Sequence, residues 1–400
     1  MAYRTLKAVF HIKDRAAADA EETARRSSPA TITWDFSIGD HAMFCLVTPE
    51  IAVLIERVMS LESTIRGRWS ALPGVARAHY LDSMIVEEIQ ATNEIEAVHS
   101  SRQEITEALD ALREDDTIGT RRFKEVARLY LSLGDESVTS PSDLDDLRSM
   151  YDSVTAGEVR EEDAPDGERF RKGPVTITSG QKAVHSGVVP ESAINAGLTT
   201  MLEQSRDDEI PQLVRAVVAH FIFENVHPFY DGNGRTGRFL LAVELSRSLT
   251  PIAWLSLSAT IADDKDRYYR AFADAENPLN RGDITPFVVT MLEIIASAQS
   301  RLDSDLVDRL TRLRMLSDVI AEQVPGDDPT RDIVYMVGQG VLFGPGGTIT
   351  LDEIANASGK SKQFIRKRIQ APIDDGIIET VSRRPLRFRL SARWRNEVGI

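Results

Sequence analysis

Between His227 and Arg238 the chain reads His-Pro-Phe-Tyr-Asp-Gly-Asn-Gly-Arg-Thr-Gly-Arg, and these types at this spacing can handle phosphate. Gly232, Asn233 and Gly234 form a stretch that reaches positive φ at little cost, so successive N–H groups can turn into one concavity. That concavity opens onto a helix start, where unpaired N–H groups and the helix dipole favour an anion. Arg235 and Arg238, three apart, fall on one side of the first helical turn with forked donors for phosphate oxygens. Asp231 is a hard carboxylate suited to Mg2+, which commonly takes one or two protein ligands and completes its shell from phosphates. His227 is the residue of this run able to accept a proton near neutral pH. A phosphate cradle, a metal carboxylate and a base together imply phosphoryl or nucleotidyl transfer. Each residue alone has a plainer reading, a turn or a surface histidine; the string as a whole carries the chemistry.

The surrounding pattern is mainly α. Helical spacing recurs at 50–70, 82–98, 101–113, 120–133, 142–154, 191–205, 210–225, 235–248, 265–276 and 284–322, so the run above lies between two helices. Residues 157–173 are polar and turn-rich and read as a loop. Val175 to Val188 alternates as a β-hairpin; an isolated hairpin is marginally stable, so covering a site explains it better than structure alone. His185 on that hairpin is read as a surface residue without a catalytic role. Residues 1–50 form an N-terminal segment with strand-like pieces, Ala30–Trp34 and Met43–Val47, packed on the core. After a connecting helix at 301–329, residues 330–400 read helix, helix, strand, turn, strand, with a turn at Ser358-Gly359-Lys360-Ser361. That order resembles a winged helix-turn-helix module, a small α+β unit.

With 400 residues, 42 % hydrophobic and 27 % charged, the chain is an ordinary globular sequence rather than a disordered one. The net charge of −15 argues against the whole molecule lying on nucleic acid. Residues 348–400 reverse the sign with 11 Lys and Arg against 6 Asp and Glu, a basic face that is either solvated or placed against DNA or protein. One cysteine, Cys45, excludes an intrachain disulfide, and no apolar run is long enough to span a membrane. The opening residues do not read as a secretory signal, so a cytoplasmic protein is expected.

The run His227–Arg238 resembles the defining motif of the Fic (Fido) family, HPFx(D/E)GNGRxxR, at every specified position. The resemblance covers about residues 80–300 of a 51–300 domain, as a helical core with a β-hairpin flap at about 174–187. It implies a protein adenylyltransferase that moves AMP from ATP to a Ser, Thr or Tyr hydroxyl and releases pyrophosphate. His227 is then the base and Asp231 the Mg2+ ligand; Asn233 with the N–H groups of Gly232 and Gly234 forms the anion hole. Arg235 meets the β-phosphate and Arg238 the γ-phosphate, while Phe229 anchors the loop and Tyr230 has no role. Gly234 stands where a phosphorylating relative carries Lys, which favours AMP transfer. Thr92-Asn93-Glu94-Ile95-Glu96-Ala97 resembles the inhibitory motif (S/T)xxxE(G/N) on a helix of about 82–98. Glu96 would compete with the γ-phosphate for Arg238, although Ala97 departs from the usual Gly or Asn and could continue the helix. The flap implies a target segment added as a strand, and the inhibitory helix implies a homodimer. Two alternatives stay open: a DNA-binding regulator with a nucleotide-sensing Fic domain, and removal of AMP with help from Glu96.

Overall fold

The computed structural model describes residues 3–113, 122–134, 139–179 and 182–399. The chain opens with α1 (Leu6–Ile12), α2 (Arg15–Arg26) and an antiparallel pair, β1 (Thr31–Ile38) and β2 (His41–Leu46). Five helices follow: α3 (Pro49–Ala71), α4 (Gly74–Ile95), α5 (Arg102–Arg113), α6 (Lys124–Gly134) and α7 (Leu144–Val154). The hairpin β3 (Thr176–Ser179) and β4 (Lys182–Ser186) leads to α8 (Glu191–Gln204), α9 (Gln212–Val226) and α10 (Asn233–Ser246). After short α11 (Pro251–Trp254), α12 (Leu257–Asp263) and α13 (Lys265–Ala275), the long α14 (Thr285–Gln323) runs unbroken through position 300 and packs along α3. The remainder is α15 (Asp328–Phe343), β5 (Ile349–Thr350), α16 (Leu351–Ser358), α17 (Lys362–Asp374), β6 (Ile378–Arg383), β7 (Leu386–Leu390) and α18 (Ala392–Glu397). Its three strands pair antiparallel in the order β5-β7-β6. The molecule is mainly helical, with short sheets.

α9 is the central helix because it is buried on every side: from Leu213 to Val226 each residue is buried except Glu224, which is half-buried with its Oε1 shut from solvent. It packs between α8, α10 and α14. The helix ends are set locally. Thr48 caps α3 ahead of Pro49, and Asp143 caps α7 by accepting two backbone N–H groups.

Two expectations are corrected. The N-terminal segment contains α1 and α2 besides its two strands. α2 buries only Ala18 and Arg25, so it has no apolar stripe to read; Arg25 binds Asp283 at 2.8 Å instead. α11 and α12 went unseen because one or two turns, nearly wholly buried, show no period. The 157–173 segment is a loop as its composition indicates, and Phe170 and Arg171 within it are fully buried.

Candidate active site

α9 stops at Val226 because Pro228 bars the α conformation for the residue before it. His227 takes a left-handed conformation instead (φ 52°), uncommon for a non-glycine residue, and its N–H donates to Phe223 O. The turn that follows is closed by Asn233, whose Oδ1 accepts from Phe229 N–H at 2.9 Å while Nδ2 donates to Phe229 O at 2.8 Å. Phe229 is fully buried and stacks on Tyr151. Gly232 (φ 79°) is the N-cap of α10 and has no side chain to satisfy the first N–H groups, which therefore stay available to an anion. The helix starts at Asn233, two residues earlier than the spacing indicated. Asn233 thus gives its side chain to the loop and its backbone to the helix start. Asp231 stands exposed at the rim, Oδ1 accepting from Gly232 N–H at 2.7 Å.

Both arginines of this helix are buried and both are held by carboxylates from elsewhere in the chain. Arg238 donates through Nη2 to Glu96 Oε1 at 2.9 Å and to Thr92 O, and through Nε to Thr92 Oγ1 at 2.8 Å. Burial works against its charge, but Glu96 foremost holds its pKa above the usual range. α4 ends just before Glu96 because Ala97 turns left-handed (φ 56°), so Ala97 stops the helix rather than continuing it. Arg235 is ion-paired with Glu158, whose other oxygen accepts from Arg122 Nε at 2.9 Å. Glu158 was hidden in the turn-rich segment. Glu224, one turn before His227, presents a buried Oε1 with no partner among the described residues; burial pushes its carboxyl up to about 8, with Arg238 opposing and Glu96 adding to the rise.

The His227 ring is nine-tenths buried and its Nδ1 has no partner among the described residues. Burial pushes its pKa down to about 3; His185 lowers it further and the Glu224 carbonyl opposes. Arg171 fixes its backbone: Nε donates to His227 O at 2.8 Å, Nη1 to Gly173 O at 2.6 Å, and Nη2 to Val188 O at 2.9 Å. One buried guanidinium thereby joins the end of α9 to both ends of the β3–β4 hairpin. Gly187 leaves it room, since a β-carbon there would strike Arg171 Nη2. Tyr230, given no role from sequence, accepts from Gly173 N–H at 2.8 Å and donates to Asp166 at 3.0 Å, tying the same segment to the loop. His185 is not a free surface histidine. Its Nδ1 lies 3.0 Å from the Glu276 carboxylate, which Asn225 also holds, and its ring centre is 5.9 Å from that of His227.

His227, Asp231, Gly232, Asn233, Gly234, Arg235 and Arg238 thus lie on the turn between α9 and α10 and the first turns of α10, and Arg238 is held there by Thr92 and Glu96, some 140 residues upstream. Residues 141–245, from just before α7 to the end of α10, match the family model for Fic/DOC. The chain carries a Fic domain. Its Thr92–Glu96 segment lies outside the matched residues. A protein adenylyltransferase, fic-1, from Caenorhabditis briggsae is 35 % identical over 104 residues, 25 % of this chain and 18 % of that protein. A protein adenylyltransferase Fic from Nematostella vectensis is 35 % identical over 85 residues, 21 % of this chain and 18 % of that protein. The chain therefore spans less than a fifth of the length of these curated relatives. A crystal structure of a Fic family protein from Desulfovibrio desulfuricans G20 has the same fold beyond the Fic domain, with a TM-score of 0.51 and 23 % identity. The match covers 86 % of this chain and 97 % of that one.

Proposed function

We propose that the chain transfers AMP from ATP to a hydroxyl of a protein, and that Glu96 restrains the reaction. The observation that carries this reading is His227 in the turn that leads into the glycine-bearing start of α10, with Arg235 and Arg238 on the first turns of that helix. The triphosphate lies on the α10 N-terminus, its β- and γ-phosphates towards Arg235 and Arg238. The target hydroxyl gives its proton to the His227 ring, its oxygen bonds to the α-phosphorus, and the bond to the β-phosphate oxygen breaks to release pyrophosphate. Burial makes His227 a weak base; a triphosphate close by supplies the negative charge that raises its proton affinity. Arg171 keeps its backbone in the left-handed bend that aims the ring.

Asp231 fits a Mg2+ ion: it is a hard, exposed carboxylate at the rim of the phosphate cradle. Among the described residues no group of three or more His, Cys, Asp or Glu gathers into a metal cage. Bound there, Mg2+ would neutralise phosphate charge. Glu96 occupies Arg238, so ATP must displace it before the γ-phosphate can seat. We place the reaction in the cytoplasm, in keeping with the single buried Cys45. No helix of the described residues is long and apolar enough to cross a membrane.

ATP labelled at the α- or the γ-phosphate, incubated with the chain and Mg2+, tests the reaction class. Protein-bound label from the α-position alone supports the reading; label from the γ-position alone means phosphorylation and overturns it. Release of AMP from a pre-modified protein, with no labelling in either case, would favour the reverse reaction.

A further inference from the structure

The C-terminal residues have a surface that AMP transfer does not use. α16 and α17 are joined by a tight turn through Gly359 (φ 64°), and Ser361 caps α17 by accepting from Phe364 N–H. Ile365, Ile369 and Pro372 bury one side of α17 against α15 and β6. The opposite side exposes Gln363, Arg366, Lys367 and Gln370, at i, i+3, i+4 and i+7, and no carboxylate interrupts that stripe before Asp374. Beside it the β6–β7 turn exposes Arg383 and Arg384. Neighbouring cations are already neutralised, Lys362 by Asp352, Arg368 by Asp327, and Arg389 by Glu379. Among the described residues Arg366, Lys367, Arg383 and Arg384 form no ion pair.

We propose that this face binds duplex DNA, with α17 in the major groove and the β6–β7 turn on the flanking phosphates. Gln and Arg are the side chains that read adenine and guanine edges bidentately, and a protruding helix fits the width of that groove. The deep, narrow major groove of duplex RNA would exclude it. The order of α15, β5, α16, α17, β6 and β7 supplies the frame of a winged helix-turn-helix. The rest of the chain is strongly acidic and repels DNA, so docking is confined to this end. The proposal does not depend on AMP transfer.

The test titrates the full chain into a fluorescent, mixed-sequence DNA duplex of about 30 base pairs across about 25 to 200 mM KCl. Four unpaired cations entering the phosphate field, two in the groove and two on the flanking backbone, predict a slope of log affinity on log salt of about −3 to −4. Arg366→Ala/Lys367→Ala should weaken binding about tenfold or more, and Arg383→Ala/Arg384→Ala should make the slope shallower by about 2. A control, Arg57→Ala/Arg77→Ala, removes two exposed cations elsewhere and should change neither. These are exposed positions, and unchanged thermal melting confirms that each variant is folded. No binding at the lowest salt overturns the proposal, as does equal binding by all three variants. Preference for duplex RNA, single strands or an acidic peptide over duplex DNA overturns it too.

Discussion

Gly234 and Glu96 are locked together: the Glu96 carboxylate lies against the α-carbon of Gly234, and a β-carbon there would collide with Oε1. The same oxygen accepts from Arg238 at 2.9 Å. The glycine at the start of α10 therefore makes room for the carboxylate that blocks it. Gly234→Ala should destabilise the chain by about 1–3 kcal/mol through overpacking. In a Glu96→Gly background the obstacle is gone, and the same change should be neutral or slightly stabilising. Urea unfolding of the four proteins checks the coupling; equal costs in both backgrounds would show that the contact is not there.

Glu158 does for Arg235 what Glu96 does for Arg238, from a different segment. On the proposed reading the two carboxylates guard different phosphates, and calorimetry with Mg2+ and AMP, ADP or ATP separates them. Glu96→Gly should tighten ATP alone, by about tenfold for one displaced charge-assisted contact. Glu158→Ala should tighten ADP and ATP together and leave AMP unchanged. It should also lower the melting temperature of the free chain, because it strips a buried guanidinium of its partner, and ADP should restore it. Uniform changes across all three nucleotides would contradict the assignment.

Much of this site is legible in the sequence because its parts are contiguous. His227 to Arg238 occupies one turn and one helix start, and local chemistry fixes both. What was illegible depends on the tertiary fold. Arg171 and Glu158 sit in a run whose composition reads as solvated loop, and only burial against α9 and α10 gives them partners. His185 was read as a surface residue because its anchor, Glu276, is 91 positions away. Ala97 reads in sequence as able to continue the helix because residue type gives no hint of a left-handed alanine; its N–H and that of Val98 pair back onto the end of α4. α2 is not legible in residues 1–50 for lack of an apolar stripe.

Arg171 should be irreplaceable by lysine. Its three donor atoms reach carbonyls in three directions, a geometry an ammonium on a flexible stem does not reproduce. Arg171→Lys should lose about 2–4 kcal/mol of stability, as expected for breaking a buried hydrogen-bond network, and most of the transfer activity. Wild-type activity in Arg171→Lys would show that the hairpin and His227 do not depend on this link.

Glu224 makes stability depend on pH with a definite sign. Its folded-state pKa is raised to about 8, so the folded chain keeps a proton that the unfolded chain releases above the ordinary carboxylate range. Its burial therefore lowers stability progressively as pH rises from about 4.5 towards 8. Glu224→Gln should stabilise the chain more at pH 8 than at pH 5, which urea titrations at the two values will read. His220 and His227, both pushed down to about 3, act at the other end: stability falls as pH drops below about 6.5, where the unfolded histidines take up protons. An equal effect of Glu224→Gln at both pH values would mean that the carboxyl is ionised in the fold.

The most direct test of the central claim compares the intact chain, Glu96→Gly and Glu96→Gly/His227→Ala, each incubated with Mg2+ and ATP, with mass spectrometry as the readout of self-modification. The account predicts a mass increase of one AMP or a multiple of it, small in the intact chain, strong in Glu96→Gly and absent in the double variant. AMP addition that persists without His227, or that does not rise when Glu96 is removed, would contradict it.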